Sequence, residues 1–282
     1  MLKVAVPNKG ALSEGTITML TEAGYRQRSD AKDLVLMDRE NQVEFYYLRP
    51  RDIAIYVGDG ILDLGFTGRD MLLDSGSPAQ EIMALGYGKA SFRFAGPLSA
   101  DLSVADIEGK RIATSYPGLL KQRLDELGID ARLVNLDGAV ESAIRLQVAD
   151  FIADVVQTGS TLAKAGLEVF GEPLLESEAI LVKRPNADLD EAIAAHLIQR
   201  LSSVQVAREY MMVDYDVPEH LLERACQLTP GIEAPTISPL AKEGWVAVRA
   251  LVKGRGAQRL MDDLWDLGAR GILLTDLAAV RL

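Results

Sequence analysis

The sequence has few of the side chains that build disulfides and metal centres. Among its 282 residues there is one cysteine, Cys226, and there are two histidines, His196 and His220. A single cysteine excludes a disulfide within the chain and a thiolate metal cluster, and it fits a reducing compartment. Two histidines far apart in sequence do not indicate a zinc site. The sequence therefore identifies no metal ligands.

Long apolar runs and an excess of positive charge are missing as well. No apolar run approaches the length needed to cross a bilayer, and Met1–Gly10 has too short an apolar core for a secretion signal. We therefore expect a cytoplasmic protein with no membrane partner. The 41 acidic and 30 basic residues give a net charge of -11. This disfavours nucleic acid as a partner, because phosphate backbones are bound through basic surfaces.

Several common catalytic motifs are absent too. The chain has no Gly-x-x-x-x-Gly-Lys-Ser/Thr loop, no complete Gly-x-Gly-x-x-Gly and no His-Glu-x-x-His. A protein without a metal cage, redox motif or nucleophile elbow is either a binding protein or an enzyme that works by positioning and electrostatics.

The hydrophobic pattern predicts an α/β protein built from two blocks and a tail. Residues 1–90 alternate short strands and helices, and residues 91–177 do so again, with a helix at Val140–Ala149 and a strand at Phe151–Val156. A strand at Glu178–Val182 and a helix from about Asp188 to Tyr210 are assigned to the first block. Such blocks form mostly parallel sheets covered by helices, and paired blocks usually bind ligands in the cleft between them.

Residues 211–282 have a different rhythm. The pattern predicts strand, helix, two strands, helix and strand: Tyr210–Val217, Pro218–Leu228, Pro235–Pro239, Trp245–Val252, Ala257–Leu267 and Arg270–Leu277. This βαββαβ order is that of a ferredoxin-like module, which is commonly a sensor of small ligands.

One segment of the second block predicts an anion site. The strand ending at Val156 runs into a loop of glycine and hydroxyl residues, Thr158, Gly159, Ser160 and Thr161, that opens a helix. Amides at a helix start lack partners and attract phosphate. Asp154, just before the loop, could accept hydrogen bonds from sugar hydroxyls, so the segment could hold a ribose 5-phosphate. The alternative is an ordinary turn with Thr or Ser as the helix cap.

Other polar residues follow strand ends. Lys9, Arg49 and Arg51 lie after two strands of the first block and could form a patch for a pyrophosphate, although basic residues in loops are often simply solvated. Asp63–Asp70 contains two glycines that allow close backbone approach and a pair of acids that could bind an amino group, a weak signal when taken alone. Glu141 falls in the first turn of a predicted helix, where a carboxylate is favoured by the helix dipole alone.

Taken in order, these motifs resemble ATP phosphoribosyltransferase. The resemblance rests on the segments Val4–Gly10, Leu48–Pro50, Asp63–Asp70, Leu136–Glu141 and Ala153–Leu162. The tail, with Leu228–Gly231 and Pro235–Leu240, resembles the regulatory domain of the family's long form, so the likeness covers essentially the whole chain.

The resemblance implies a two-lobed, periplasmic-binding-protein-like catalytic core followed by a ferredoxin-like regulatory domain. It implies that N1 of the adenine of ATP displaces pyrophosphate from C1 of phosphoribosyl pyrophosphate (PRPP), with inversion and with Mg2+ as cofactor. This is the first step of histidine biosynthesis, inhibited by histidine. The resemblance also suggests a homo-oligomer, from dimer to hexamer. A solute-binding protein with a two-lobed cleft is the alternative.

The resemblance also implies roles for individual residues. The 5-phosphate of PRPP would be bound by Thr158, Gly159, Ser160 and Thr161. The ribose hydroxyls would be bound by Asp154 and Glu141, the pyrophosphate by Lys9, Arg49 and Arg51, and the adenine amino group by Asp70; of these, Lys9, Arg49 and Asp154 are the candidate catalytic residues. Histidine would be bound by Asp216, Ile232, Ala234, Thr236 and Gly271.

Overall fold

A computed structural model describes residues 1–98, 101–185 and 191–281. The strands are β1 (Leu2–Pro7), β2 (Val35–Asp38), β3 (Val43–Leu48), β4 (Leu64–Gly68), β5 (Gln80–Ala84), β6 (Ala90–Pro97), β7 (Arg111–Thr114), β8 (Arg132–Asn135), β9 (Phe151–Val156), β10 (Leu167–Ser177), β11 (Ala179–Lys183), β12 (Tyr210–Pro218), β13 (Thr236–Pro239), β14 (Trp245–Lys253) and β15 (Arg270–Asp276). The helices are α1 (Gly10–Glu22), α2 (Pro50–Gly58), α3 (Arg69–Ser75), α4 (Pro117–Leu127), α5 (Ser142–Arg145), α6 (Ser160–Lys164), α7 (Glu191–Glu209), α8 (Leu222–Leu228) and α9 (Ala257–Leu267). The start predicted for the long helix, residues 188–190, lies outside the described residues.

The chain divides into two compact units, the first made of residues 1–18 and 26–194 and the second of residues 19–25 and 195–282. The first unit contains two sheets. Lobe 1 is the six-stranded sheet β2-β3-β1-β4-β11-β5 with its helices, and lobe 2 is the five-stranded sheet β10-β6-β9-β7-β8 with its helices. The two-lobed α/β core expected from the sequence is confirmed.

Parallel pairing places the functional strand ends at common edges. In lobe 1, β1 lies between β3 and β4 and is parallel to both, and in lobe 2, β7 lies parallel to β8 and β9. All five residues of β4 are buried, as is typical of a strand covered by helices on both faces. Gly65 in β4 allows α2 to approach closely, because a Cβ there would lie 2.5 Å from Cγ2 of Ile53.

Two segments connect the lobes, one from β5 to β6 and one from β10 to β11. They are hydrogen bonded to each other: the amide of Leu85 donates to the carbonyl of Ala179, and the amide of Ala179 donates to the carbonyl of Tyr87, both at 2.9 Å. Gly86 and Gly88 have φ angles of 77° and 64°. Glycine adopts this left-handed conformation without strain, so the first crossing can turn sharply.

The helix predicted at Val140–Ala149 is wrong in extent, because only the single turn α5 forms. The backbone explains the difference. Gln147 has a φ angle of 57°, a left-handed conformation that interrupts a right-handed helix, and Ala139, directly before the predicted segment, has a φ angle of 50°. The sequence also failed to predict β10, whose pairing with β6 is broken between Phe170 and Leu175.

The second unit contains the sheet β13-β14-β12-β15, in which all neighbouring strands are antiparallel. With α8 between β12 and β13 and α9 between β14 and β15, this is the predicted ferredoxin-like βαββαβ order. One face of the sheet is buried, with Val213, Tyr215 and Val248 at its core. In the described part of the chain, none of the helices combines the length and apolar character that crossing a membrane requires.

Candidate active site

The predicted anion loop opens α6 at the end of β9. Gly159 precedes the helix with a φ of 69°, and the hydroxyls of Thr158 and Ser160 are hydrogen bonded at 3.0 Å. The loop lines a cavity of about 410 Å³ together with Glu141 and Asp154. Because the first amides of a helix have no partner within it, the loop offers donors to an anion in this cavity.

Asp154 is the acid beside this loop. Its Oδ1 accepts a hydrogen bond from the amide of Val155 at 2.8 Å. Burial raises the pKa of the Asp154 carboxyl above its usual range, and the nearby Glu141 and Asp70 carboxylates raise it further, against the opposing effects of the Val155 amide and the Arg51 guanidinium. An ionised Asp154 is therefore stabilised by any positive charge or hydroxyl donor that enters the cavity.

Glu141 faces the same cavity from the residue preceding α5. Its side chain makes no hydrogen bond to the helix amides there. Glu141 therefore lines the cavity without being tied to the helix start by a hydrogen bond, although the helix dipole still favours a carboxylate at this position.

Asp70 lies at the start of α3 in lobe 1, where it is 5% exposed. Its Oδ1 accepts a hydrogen bond from the Ser177 hydroxyl at 2.7 Å, and the Ser177 hydroxyl accepts one from the Asp70 amide at 3.0 Å. Gly68 makes room for this arrangement, because a Cβ there would lie 2.3 Å from Oδ1 of Asp70. Asp70 lines a second cavity of about 240 Å³ together with Lys9.

Tyr116 is the residue that the sequence reasoning missed. It lines both cavities, comes from the segment before α4 in lobe 2, and lies near the Asp70 carboxylate of lobe 1. Burial and the Asp70 carboxylate together raise the pKa of the Tyr116 hydroxyl, so the group is neutral at physiological pH. The sequence feature that could have identified Tyr116 is its position just after the buried strand β7.

The three predicted basic residues occupy different environments. Lys9 is exposed and lines the smaller cavity, whereas Arg49 is exposed at the N-terminus of α2 and lines neither cavity. Nη1 of Arg51 pairs with Oδ2 of Asp74 at 3.0 Å, and the Arg51 guanidinium lies 4.3 Å from the ring centroid of Tyr116. The structure thus brings Lys9, Asp70, Asp154 and Glu141 to one cleft around Tyr116 and leaves Arg49 at its edge.

The residues expected to bind histidine lie in the second unit. Asp216 is on β12, and a Cβ on Gly271 would lie 3.5 Å from its Oδ2. The register places Thr236 and Asp216 on the same face of the sheet, on either side of β14. Ile232 and Ala234 are exposed in the segment before β13, and Ile232 lines a cavity that does not include Asp216. Asp216 and Gly271 are therefore adjacent, whereas the 232–236 segment leads into β13, on the other side of β14 from Asp216.

No group of three or more His, Cys, Asp or Glu side chains suited to a metal ion occurs within residues 1–98, 101–185 and 191–281. The carboxylates in the cleft are distributed around Tyr116 and belong to three different segments. This donor set does not fit a resident divalent ion held by the protein alone.

Comparison with protein families gives two matches. A family model described as ATP phosphoribosyltransferase matches residues 49–203, and one described as the HisG C-terminal domain matches residues 207–279. Among curated proteins, an ATP phosphoribosyltransferase of Kocuria rhizophila is 58% identical over 282 residues, covering all of both chains. One from Nocardia farcinica is 56% identical over 281 residues, covering 100% of this chain and 99% of its own.

Solved structures show the same core. The ATP phosphoribosyl transferase (HisG:HisZ) complex from Thermotoga maritima contains a chain with a TM-score of 0.61 and 25% identity, which covers 72% of this chain and 99% of its own. A histidine kinase sensor domain with similarity to periplasmic binding proteins has a TM-score of 0.50 and 11% identity, covering 73% of this chain and 90% of its own. At that identity the second likeness concerns the fold alone.

Proposed function

This chain belongs to the ATP phosphoribosyltransferase family, and we propose that the cleft around Tyr116 is where it joins ATP to PRPP. The family's reaction is the first step of histidine biosynthesis and yields N1-(5-phosphoribosyl)-ATP and pyrophosphate. The observation that carries the proposal is the meeting of the 158–161 loop, Asp154 and Asp70 in adjoining cavities. A solute-binding function loses its support, since the curated relatives are enzymes over their whole length.

We propose a role for each residue from its position in the cleft. The amides and hydroxyls of Thr158, Gly159, Ser160 and Thr161 bind the 5-phosphate of PRPP. Asp154, with Glu141, accepts hydrogen bonds from the ribose hydroxyls.

On the other side of the cleft, Asp70 accepts a hydrogen bond from the amino group of the adenine. Lys9 and Arg49 attract the pyrophosphate, and Arg51 adds its charge from behind the Tyr116 ring.

The chemistry needs alignment more than proton transfer. The lone pair of adenine N1 forms the new bond to C1 of the ribose as the bond from C1 to the pyrophosphate oxygen breaks, and the electron pair leaves with the pyrophosphate. Positive charge develops on the ribose ring in the transition state, where the old bond is largely broken and the new bond is only partly formed. The Asp154 and Glu141 carboxylates stabilise that charge, and the basic residues stabilise the departing pyrophosphate.

We assign Mg2+ to the substrates and not to a site built by the protein. The described residues hold no cluster of metal-binding side chains, whereas the phosphates of PRPP and ATP are hard oxygen ligands of the kind Mg2+ prefers. The ion would neutralise part of the charge that two polyanions bring into an acidic protein.

The test of the reaction is an assay with ATP, PRPP and Mg2+ in the presence of pyrophosphatase, following phosphoribosyl-ATP by ultraviolet absorbance. We expect product that requires both substrates. If the protein is folded and calorimetry shows that it binds PRPP, but no product forms, the enzymatic proposal is refuted and the solute-binding interpretation is supported instead.

For the second unit we propose inhibition by histidine, bound by Asp216, Gly271 and the 232–236 segment. The support is the proximity of Gly271 to the Asp216 carboxylate, which could pair with the amino group or imidazolium of the effector.

Asp216→Ala should weaken histidine inhibition at least about tenfold, since it removes a charge-assisted hydrogen bond. Asp214→Ala is the matched control, because Asp214 lies on the same strand and its carboxylate is paired with Arg249 at 2.6 Å. Equal inhibition of the Asp216 variant and the parent would refute the assignment.

The remaining proposals concern organisation. We assign catalysis to residues 1–90 with 178–210 and to 91–177, and regulation to 211–282. We further propose a cytoplasmic homo-oligomer, from dimer to hexamer. Light scattering would measure the assembly, and a monomer at all concentrations would contradict it.

A further inference from the structure

One acidic residue outside the proposed substrate contacts connects the two lobes. Asp74 lies near the end of α3, and its side chain is 11% exposed. Its Oδ2 pairs with Arg51, and its Oδ1 accepts hydrogen bonds from the amides of Gly118 and Leu119 at 2.9 and 3.1 Å. These two amides belong to the first turn of α4 in lobe 2. A carboxylate from lobe 1 therefore caps a helix of lobe 2.

The cap is needed because the local sequence does not provide one. Tyr116 occupies the cap position of α4 and makes no capping hydrogen bond with its side chain. The first amides of a helix are otherwise without partners, and a carboxylate is the acceptor that the helix dipole favours there. Asp74 thus stabilises the start of α4 from a residue 44 positions earlier in the chain.

The two helices touch closely at this point. A Cβ on Gly118 would lie 2.2 Å from the backbone oxygen of Asp74, so any larger residue would push α4 away from α3. Next to this contact, Met71 and Leu73 of α3 pack against the apolar core of lobe 2. Helix α3 therefore follows a strand of lobe 1 in the sequence and packs against the core of lobe 2.

We propose that Asp74 is a positioning residue for the transfer reaction. It fixes the first turn of α4, and with it Tyr116, while its second oxygen holds the Arg51 guanidinium over the Tyr116 ring. The consequence is a set distance between Asp70 on lobe 1 and Asp154 on lobe 2, and so between the adenine and the ribose. This inference rests on the proposed function of the cleft.

The role has a kinetic signature. The proposed contacts of the PRPP 5-phosphate with the 158–161 loop are on lobe 2, and the proposed contact of adenine with Asp70 is on lobe 1. Each of these contacts lies within one lobe and remains when Asp74 is changed. Misalignment of two bound reactants lowers kcat with little change in KM. Asp74→Ala should therefore lower kcat about ten- to a hundredfold, with both KM values changed less than about threefold.

Asp74→Asn separates the two functions of the carboxylate. Asparagine keeps an oxygen for the amides of Gly118 and Leu119 and loses the charge that pairs with Arg51, so its kcat should lie between those of the parent and Asp74→Ala. Asp125→Asn is the matched control, because Asp125 lies on the exposed side of the same helix, and its kinetics should equal those of the parent.

The measurements are steady-state kinetics with kcat expressed per PRPP-binding site, counted by calorimetry, and amide hydrogen exchange across residues 116–121. Asp74→Ala should speed exchange in this segment, and Asp74→Asn should do so less. A parent that makes no product would overturn the proposed function itself. With an active parent, an Asp74→Ala variant whose kcat per site is within twofold of the parent, or an Asp74→Asn variant as slow as Asp74→Ala, would overturn the positioning role.

Discussion

Replacing Asp154 by asparagine should lower activity and raise stability at the same time. The substitution keeps the size of the side chain and an oxygen that can accept the amide hydrogen of Val155, but it removes the negative charge. In the proposed complex this charge accepts hydrogen bonds from the ribose hydroxyls and stabilises the cationic ring of the transition state. In the free protein the same charge is half-buried near Glu141 and Asp70, and this environment raises the pKa of the carboxyl.

The loss of activity can be estimated from the bonds involved. A hydrogen bond to a charged group contributes about 1.5–3 kcal/mol, and a neutral amide oxygen recovers part of it. For two ribose hydroxyls, a net loss of about 2–4 kcal/mol corresponds to a roughly 30- to 1,000-fold decrease in kcat/KM for PRPP.

The gain in stability has a defined dependence on pH. Because the pKa of Asp154 is raised in the folded state, ionisation of this carboxyl opposes folding. The parent therefore loses stability as the pH rises from the ordinary carboxyl pKa, about 3.9, through the raised value. Asp154→Asn should be more stable than the parent at pH 7, and the difference should disappear below about pH 4.

The assay pairs initial rates at varied PRPP with urea unfolding at pH 4 and pH 7. Asp125→Asn serves again as the control, since it makes the same chemical change on an exposed side chain. A kcat/KM within threefold of the parent would refute the ribose contact. A variant less stable than the parent at pH 7 would refute the account of the buried charge.

Two further predictions concern stability. The Arg111 guanidinium lowers the pKa of Asp150 to about 2, so the ion pair stabilises the fold above the ordinary carboxyl pKa and this stabilisation is lost as the pH falls towards 2. Because both side chains are more than a third exposed, Asp150→Asn should lower the free energy of unfolding by only about 1 kcal/mol at pH 7. If urea unfolding shows that the difference in stability between parent and variant does not narrow towards pH 2, the ion pair does not have this effect. Gly65→Ala should lower the free energy of unfolding by about 1–3 kcal/mol, because the new methyl would lie 2.5 Å from Cγ2 of Ile53. An unchanged thermal unfolding midpoint would show that α2 can shift to accommodate the methyl without loss of stability.

The sequence predicted the parts of the fold that depend on local patterns. The alternation of short apolar runs and helices predicted both lobes, and the βαββαβ order predicted the sheet of the second unit with α8 and α9. The loop at Thr158–Thr161 could be predicted because a strand, a glycine and hydroxyl residues follow one another directly. The helix over Val140–Ala149 was overestimated because Gln147, which adopts a left-handed conformation within it, is not a glycine and carries no clear signal in the sequence.

Contacts between lobes could not be predicted in this way. Asp74 and Gly118 look like an acid near a helix end and a helix-start glycine, and nothing in their neighbours shows that they meet. Ser177, which holds Asp70, lies 107 residues further along the chain. Tyr116 precedes a proline and resembles an ordinary helix entry until the fold brings it against Arg51. The roles of such residues can be recognised only once the positions of the two sheets relative to each other are known.

The charge distribution of the cleft is the physical link between these observations. Asp70, Glu141 and Asp154 are drawn together in a protein of net charge -11 that must bind two polyanions. This arrangement opposes the binding of phosphates near the carboxylates, so in the proposed complex the phosphates are bound by the loop amides and by Lys9. In the proposed reaction the same carboxylates favour the one species that is positive, the ribose ring as pyrophosphate departs. An interaction that is stronger in the transition state than in the ground state accelerates the reaction. On the proposed mechanism, the raised pKa of Asp154 is the cost, in the free protein, of placing negative charge where the transition state needs it.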